Sequence, residues 1–407
     1  MKKLVYILFL LTMIALTSCV SQKVGNISEK NGSWTGTWAT APQLVEPNNM
    51  PPEPGLSGNT LRQIVRVSIG GTSVRLRFSN KYSNSELEIK SVTIAPALKE
   101  DEIVPNDLKY LKFSGKEEIS IPANGEVFSD ELKFSLQPNS LLAITIHYGK
   151  TPSDLTGHPG SRTTSFLVKG SQEQNAKFEN SIKTDHWYTI MGINVKSAVK
   201  ASTIAVLGNS ITDGRGSGTN KQNRWTDVLS QRLLANKAKS NIGVLNFGIG
   251  GNCVLRGGLG PTALDRFDYN ILSQQGVKWL IILEGINDIG GIRDESQANV
   301  VADELIKAYQ TMIEKVHNNG IKVYGATILP FAKSFYDKPF RQDARTKVND
   351  WIRNSGAFDA VIDFDKLMES DEKGVIKKDL HDNDFLHPNE AGYKTMGDFI
   401  DLNLFKN

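Results

Sequence analysis

The sequence predicts an α/β protein: a five-stranded parallel sheet with helices on both faces, preceded by an all-β sandwich or jelly roll. Three observations carry this. Residues 33–198 contain short runs in which apolar and polar side chains alternate, separated by turn residues and without helical periodicity. From about residue 199, apolar runs of strand length alternate with stretches of helical spacing. Of the 407 residues, 39% are hydrophobic and 22% charged, which is globular rather than disordered composition.

Residues 1–18 read as a targeting segment. Lys2 and Lys3 precede an apolar run from Leu4 to Leu16, which is shorter than the ~20 residues that span a bilayer. The segment ends in Leu16-Thr17-Ser18-Cys19, which resembles the lipobox of bacterial lipoproteins. That resemblance implies lipidation of Cys19 and a lipid-anchored place in the bacterial cell envelope, at the outer membrane or facing the periplasm. An ordinary secretory signal with an incidental cysteine is the alternative. Residues 19–32 are polar and aperiodic, as a tether would be. Cys19 and Cys253 are the two cysteines, which excludes a disulfide framework and a cysteine-built zinc site. The net charge of +3, two of it from Lys2 and Lys3, offers no electrostatic case for nucleic acid or for an anionic membrane surface.

Within the β-rich part, Thr60 to Ile69 is a β-branched, apolar run closed by Gly70-Gly71. Val74, Leu76 and Phe78 alternate with Arg75, Arg77 and Ser79, which places the apolar set on one strand face. Leu87 and Ile89, then Ile144, Ile146 and Tyr148, repeat the pattern, and Pro122-Ala-Asn-Gly125 is a turn signal. The pattern changes between 196 and 202. Strands are expected at Thr203–Leu207, Gly243–Phe247, Lys278–Leu283, Ile321–Leu329 and Ala360–Phe364, with helices at Trp225–Leu234 and Ala298–Val316.

Ligands of an open parallel sheet bind beyond the carboxyl ends of its strands. The segments that follow the strands are therefore the informative ones: Gly208-Asn-Ser-Ile-Thr-Asp-Gly214, Asn246-Phe-Gly-Ile-Gly-Gly-Asn252, Glu284-Gly-Ile-Asn-Asp288 and, near the C-terminus, Asp384-Phe-Leu-His-Pro388. Together they offer a hydroxyl, glycine amides, a carboxamide and an imidazole beside a carboxylate, the inventory for acyl transfer to a serine. Ser210 sits where a strand turns into a helix. His387 is the natural base, and Asp384, three residues earlier, can orient it. The amides of Ser210 and Gly251 and the side chain of Asn287 can form an oxyanion hole, with Gly250 and Gly248 as competitors of Gly251.

Four such blocks centred on Ser, Gly, Asn and His, in that order, resemble those of the SGNH (GDSL-type) hydrolases, over about residues 200–405. The resemblance implies a flavodoxin-like sheet, esterase or lipase activity and no metal or cofactor. The β-rich part resembles the domain that accompanies some secreted bacterial members. One departure is Asn209, where the family usually has Asp before the nucleophile. The organisation expected is a signal peptide at 1–18, a tether at 19–32, a β-sandwich at 33–198 and a catalytic domain at 199–407. The activity expected is a secreted serine esterase acting on an ester substrate, foremost O-acetyl groups of an acetylated polysaccharide. A lipase or arylesterase on longer or aromatic esters, or a carbohydrate-binding lipoprotein without activity, are the alternatives.

Other features receive blander readings. His381, Asp382, Asp384 and His387 are not expected to hold a metal. Gly248 to Cys253 lacks the third glycine of a dinucleotide loop, and Gly214 to Lys221 lacks the Lys-Ser/Thr of a P-loop. Cys253 reads as a small buried residue. Asn252 can touch substrate or satisfy loop backbone. His158 and Arg162 lie in a Gly/Pro-rich loop of the β-rich part; a solvated loop is the expectation, and reach into the cleft the alternative. Trp187, Trp225 and Tyr269 are candidate sugar platforms.

Overall fold

The computed structural model describes residues 33–406 except 198. The expected leader, Cys19 and the tether lie outside these residues. Among the described residues no helix is long and apolar enough to cross a membrane.

The β-rich part is built of antiparallel sheets. One carries Trp34–Ala39, Ile190–Lys196 and Gly71–Ser79 in that order, with Glu126–Phe128 and Leu132–Leu136 both paired to Gly71–Ser79. A second runs Ile182–Thr184, Ser165–Val168, Thr60–Arg66, Leu141–Tyr148, Leu87–Pro96, Lys109–Tyr110, and a small third joins Trp187–Tyr188, Thr156–His158 and Gln43–Leu44. Alternation decides which side chains meet. Val74, Leu76 and Phe78 from the first sheet share one core with Leu61, Val65, Ile144 and Ile146 from the second. The intervening arginines cover aromatic faces instead. Arg75 stacks over Trp34 at 4.5 Å and Phe128 at 4.7 Å, and Arg77 over Tyr269 at 5.1 Å.

The second part is a five-stranded parallel sheet: β1 (Ser202–Gly208), β2 (Ile242–Gly248), β3 (Val277–Leu283), β4 (Lys322–Ala326) and β5 (Ala360–Ile362), in the order β2-β1-β3-β4-β5. All seven residues of β1 are buried, as a central strand covered on both faces requires. The helices are α1 (Ser210–Asp213), α2 (Trp225–Ala235), α3 (Ala263–Phe267), α4 (Ile286–Gly290), α5 (Ala298–His317), α6 (Pro339–Asn354), α7 (Phe364–Met368) and α8 (Glu390–Phe399). Ala302, Leu305, Tyr309, Met312 and Val316 make the buried stripe of α5. The strand order reverses between β1 and β3, so the crevice that receives ligands lies beyond their carboxyl ends. Ser210 follows β1 and Asn287 follows β3.

Two expected strands are shorter than their apolar runs. The Thr327 N–H still donates to the Ile362 carbonyl at 3.1 Å, but residues 328–329 leave the sheet because Asn349 takes over the Ile328 backbone, its Oδ1 accepting from the N–H at 2.8 Å and its Nδ2 donating to the C=O at 2.9 Å. The last strand stops at Ile362 because Asp363 caps α7, accepting from the Lys366 N–H.

The two parts pack into one compact unit, Gly32–Asn407. The strand Trp34–Ala39 lies against β2, and a Cβ on Gly243 would stand 2.6 Å from the Gly36 carbonyl oxygen. Gly243→Ala is therefore expected to lower unfolding stability by about 1–3 kcal/mol, as overpacking does. Gly192→Ala, whose methyl would meet nothing nearer than 3.5 Å, is the control. Urea unfolding of both variants checks this.

Candidate active site

The segments after β1, β2 and β3 meet the 381–388 loop at one rim. Ser210 and His387 are both buried, and the Ser210 Oγ lies 2.9 Å from His387 Nε2. On the far side of the ring, Nδ1 is 2.6 Å from Asp384 Oδ2. The other carboxylate oxygen of Asp384 accepts from the backbone N–H groups of Leu386 at 3.0 Å and His387 at 2.9 Å. Asn383 and Phe385 take left-handed conformations, at φ 59° and 55°, which curls the chain around that carboxylate. Burial alone would raise the Asp384 pKa, but the hydrogen bonds from the His387 ring and backbone outweigh it and hold the carboxyl at about 2. An ionised, fixed acceptor is what orients an imidazole and stabilises its charged form.

Ser210 opens α1, so its N–H has no intrahelical acceptor. Gly248 and Gly250 run against the same helix: a Cβ on Gly248 would clash with the Asp213 backbone nitrogen, and one on Gly250 would lie 3.6 Å from the Asp213 carboxylate. The Gly248 N–H is spent on Asn246 Oδ1 at 2.8 Å, which leaves Gly250 and Gly251 as the amides of this loop that a ligand can use. Gly251, at φ +68°, and Asn287 line one open cleft of about 800 Å³, and Asn287 Nδ2 donates to the Asn252 carbonyl at 2.7 Å.

Sequence reasoning missed the residues that hold these loops. Arg266 is wholly buried and donates to Gly208 O at 3.0 Å, Phe247 O at 2.7 Å and, twice, Asn252 Oδ1. Asn252 in turn donates to Leu259 O and Pro261 O, so of its two readings it takes the one that satisfies loop backbone. Asp288 accepts from the N–H groups of Val254 and Leu255, while its burial pushes the carboxyl up to about 6. The Asn209 departure has a local partner. Its Oδ1 caps Ile211 at 3.1 Å and its amide lies 3.3 Å from the buried carboxyl of Glu284, whose pKa burial pushes up. An aspartate there would keep the cap and lose the donation.

Three readings need correction. His158 is not in a solvated loop: it is 4% exposed, and its Nε2 lies 2.8 Å from Asp213 Oδ1 while Nδ1 faces the Ala41 carbonyl. Arg162 is half-buried with its guanidinium 3.8 Å from the same Asp213. The β-rich part thus touches the helix that begins with Ser210. Trp225 and Trp187 are buried in core clusters and offer no platform, and Tyr269 is half-buried against Arg77. Cys253 is buried, as expected. Among the described residues no group of three or more His, Cys, Asp or Glu is placed to hold a metal.

Residues 206–395 match the family described as the GDSL-like Lipase/Acylhydrolase family. No curated protein matches the chain. Similar solved structures include a lipase/acylhydrolase from Enterococcus faecalis (22% identity, 49% of this chain and 92% of that one, TM-score 0.38). A member of the lipolytic protein G-D-S-L family from Veillonella parvula is 21% identical over 49% of this chain and 96% of that one, with a TM-score of 0.36. An acetyl xylan esterase from Geobacillus stearothermophilus is 19% identical over 48% and 92%, with a TM-score of 0.38.

The depressed Asp384 pKa carries a pH dependence. An unfolded aspartate titrates near ~3.9. The folded carboxyl, at about 2, therefore adds stability above that pH and loses it as the pH falls through its own pKa. The stability difference between the parent chain and Asp384→Asn should shrink by roughly 2 kcal/mol between pH 5 and pH 2. Urea unfolding across that range measures it, and a pH-independent difference would contradict the assignment.

Proposed function

We propose that this protein, whose residues 206–395 match the GDSL-like lipase/acylhydrolase family, is an exported, lipid-anchored serine esterase that removes short acyl groups, foremost O-acetyl, from polysaccharides. The observation that carries the chemistry is the unbroken chain from Ser210 Oγ through His387 to Asp384.

In this reading His387 Nε2 takes the Ser210 proton as Oγ attacks the ester carbonyl. The oxyanion forms against the N–H groups of Ser210 and Gly251 and the Asn287 amide. His387 then gives its proton to the departing alcohol. Water, deprotonated by the same ring, attacks the acyl-enzyme and releases the acid and Ser210. The cleft beside Gly251 and Asn287 supports a polar alcohol half: it is open, and Arg293, Ser296 and Gln297 line it beside Leu255 and Val301. The lipid anchor rests on Cys19 and its flanking residues.

One observation favours the longer or aromatic esters. Leu259, Val300 and Phe335 stand 50%, 54% and 67% exposed near the cleft and give it an apolar fringe.

Hydrolysis of p-nitrophenyl acetate, butyrate and octanoate separates these readings. Acetate preference together with acetate release from acetylated xylan or pectin is expected. Octanoate preference would favour the lipase. Ser210→Ala should lower kcat by at least about 1000-fold, as loss of a nucleophile does. Turnover unchanged in that variant would overturn the mechanism. For the anchor, Cys19→Ala should move the protein from the membrane fraction to the soluble one.

A further inference from the structure

Tyr336 belongs to none of the four motif blocks, yet its hydroxyl lies 2.9 Å from Asn287 Oδ1. Its neighbours hold it in place. Its N–H donates to Ser334 Oγ at 3.1 Å and its carbonyl accepts from Arg341 Nη1 at 3.0 Å. The ring lies on Gly290, where a Cβ would come within 2.5 Å of it, and Gly290 ends the helix α4 that carries Asn287. Phe335 packs on the ring at 4.4 Å between centroids.

A carboxamide has nearly the same shape either way round, so only its hydrogen bonds decide which end is the donor. Here two bonds decide it. The Tyr336 hydroxyl donates to Oδ1, and Nδ2 donates to the Asn252 carbonyl, which leaves one Nδ2 hydrogen free. Turned over, the amide would set its oxygen against the Asn252 carbonyl and offer an acceptor where negative charge is to develop. Burial pushes the Tyr336 phenol above its ordinary value, so it remains a donor at the pH of esterase chemistry.

We infer that Tyr336 is a positioning residue for the oxyanion site, holding the Asn287 amide with its nitrogen toward the ester oxygen. The inference rests on the serine-esterase reading and adds to it a group that touches neither the nucleophile nor the base. Asn252, the amide's other partner, is held by Arg266, so Tyr336 fixes one end of the Asn287 amide directly and Arg266 supports the other through Asn252.

A double-mutant cycle on p-nitrophenyl acetate tests it. Tyr336→Phe should lower kcat/KM roughly tenfold, the scale of one buried hydrogen bond in a transition state. The loss should fall on kcat, with KM within about twofold. In an Asn287→Ala background the same substitution should change kcat/KM by less than about twofold, because its only route of action is gone. A structural role would give the same loss in both backgrounds, and that result, or no loss in the parent, would overturn the inference. Gly290→Ala, which displaces the ring and keeps the phenol, should follow the same pattern and serves if Tyr336→Phe melts early. Ser210→Ala run alongside separates the failures. Full activity there removes the reading beneath, whereas lost activity with an uncoupled Tyr336 removes only this inference.

Discussion

One buried guanidinium holds the working end of the parallel sheet together. Arg266 reaches the last carbonyl of β1, a carbonyl of β2 and the side chain of Asn252, and stands 3.6 Å from Glu284 after β3. These partners belong to the segments that carry Ser210, the glycine amides and Asn287. Burying such a charge is expensive unless its donors are met. Five bonds to carbonyl and carboxamide oxygens, of Gly208, Phe247, Asn252 and Asn270, meet them. The consequence is geometric: strand ends that would otherwise splay are fixed relative to one another, and groups from distant parts of the chain share one rim.

The β-rich part contributes to the same rim. His158 closes on Asp213, and Gly160 comes so near that carboxylate that a Cβ there would overlap it. Together with the close passage of Gly36 over Gly243, this makes the sandwich a support of the parallel sheet. Arg224 strengthens the seam from the other side by donating to the Ser161 carbonyl and to the Asp213 carbonyl at 2.8 Å.

Ser210, His387, Asp384 and Asn287 were legible in the sequence because each lies in a short segment bounded by a strand end or a helix start, where residue type and position say the same thing. Alternation likewise placed Val74, Leu76 and Phe78 in the core. Arg266, Tyr336 and His158 were not legible. An arginine in an amphipathic stretch, a tyrosine in an aromatic loop and a histidine between glycines each have a commoner role. What distinguishes them is a partner far along the chain: 117 residues away for His158 and Ala41, and 49 for Tyr336 and Asn287. The overlong reading of the fourth strand has the same root. Hydrophobic runs report burial, and only the Asn349 side chain, 21 residues on, shows that the backbone has left the ladder.

His387 and Asp384 are three residues apart and share a loop that also hydrogen-bonds its own backbone to the carboxylate, whereas the contact from His387 to Ser210 spans 177 residues. The imidazole–carboxylate pair is thus a local cassette, assembled by its own turn. What the long-range fold must supply is a single docking distance. Loosening of the loop as a body would part His387 from Ser210 while leaving the cassette intact, and recovery would require re-docking alone.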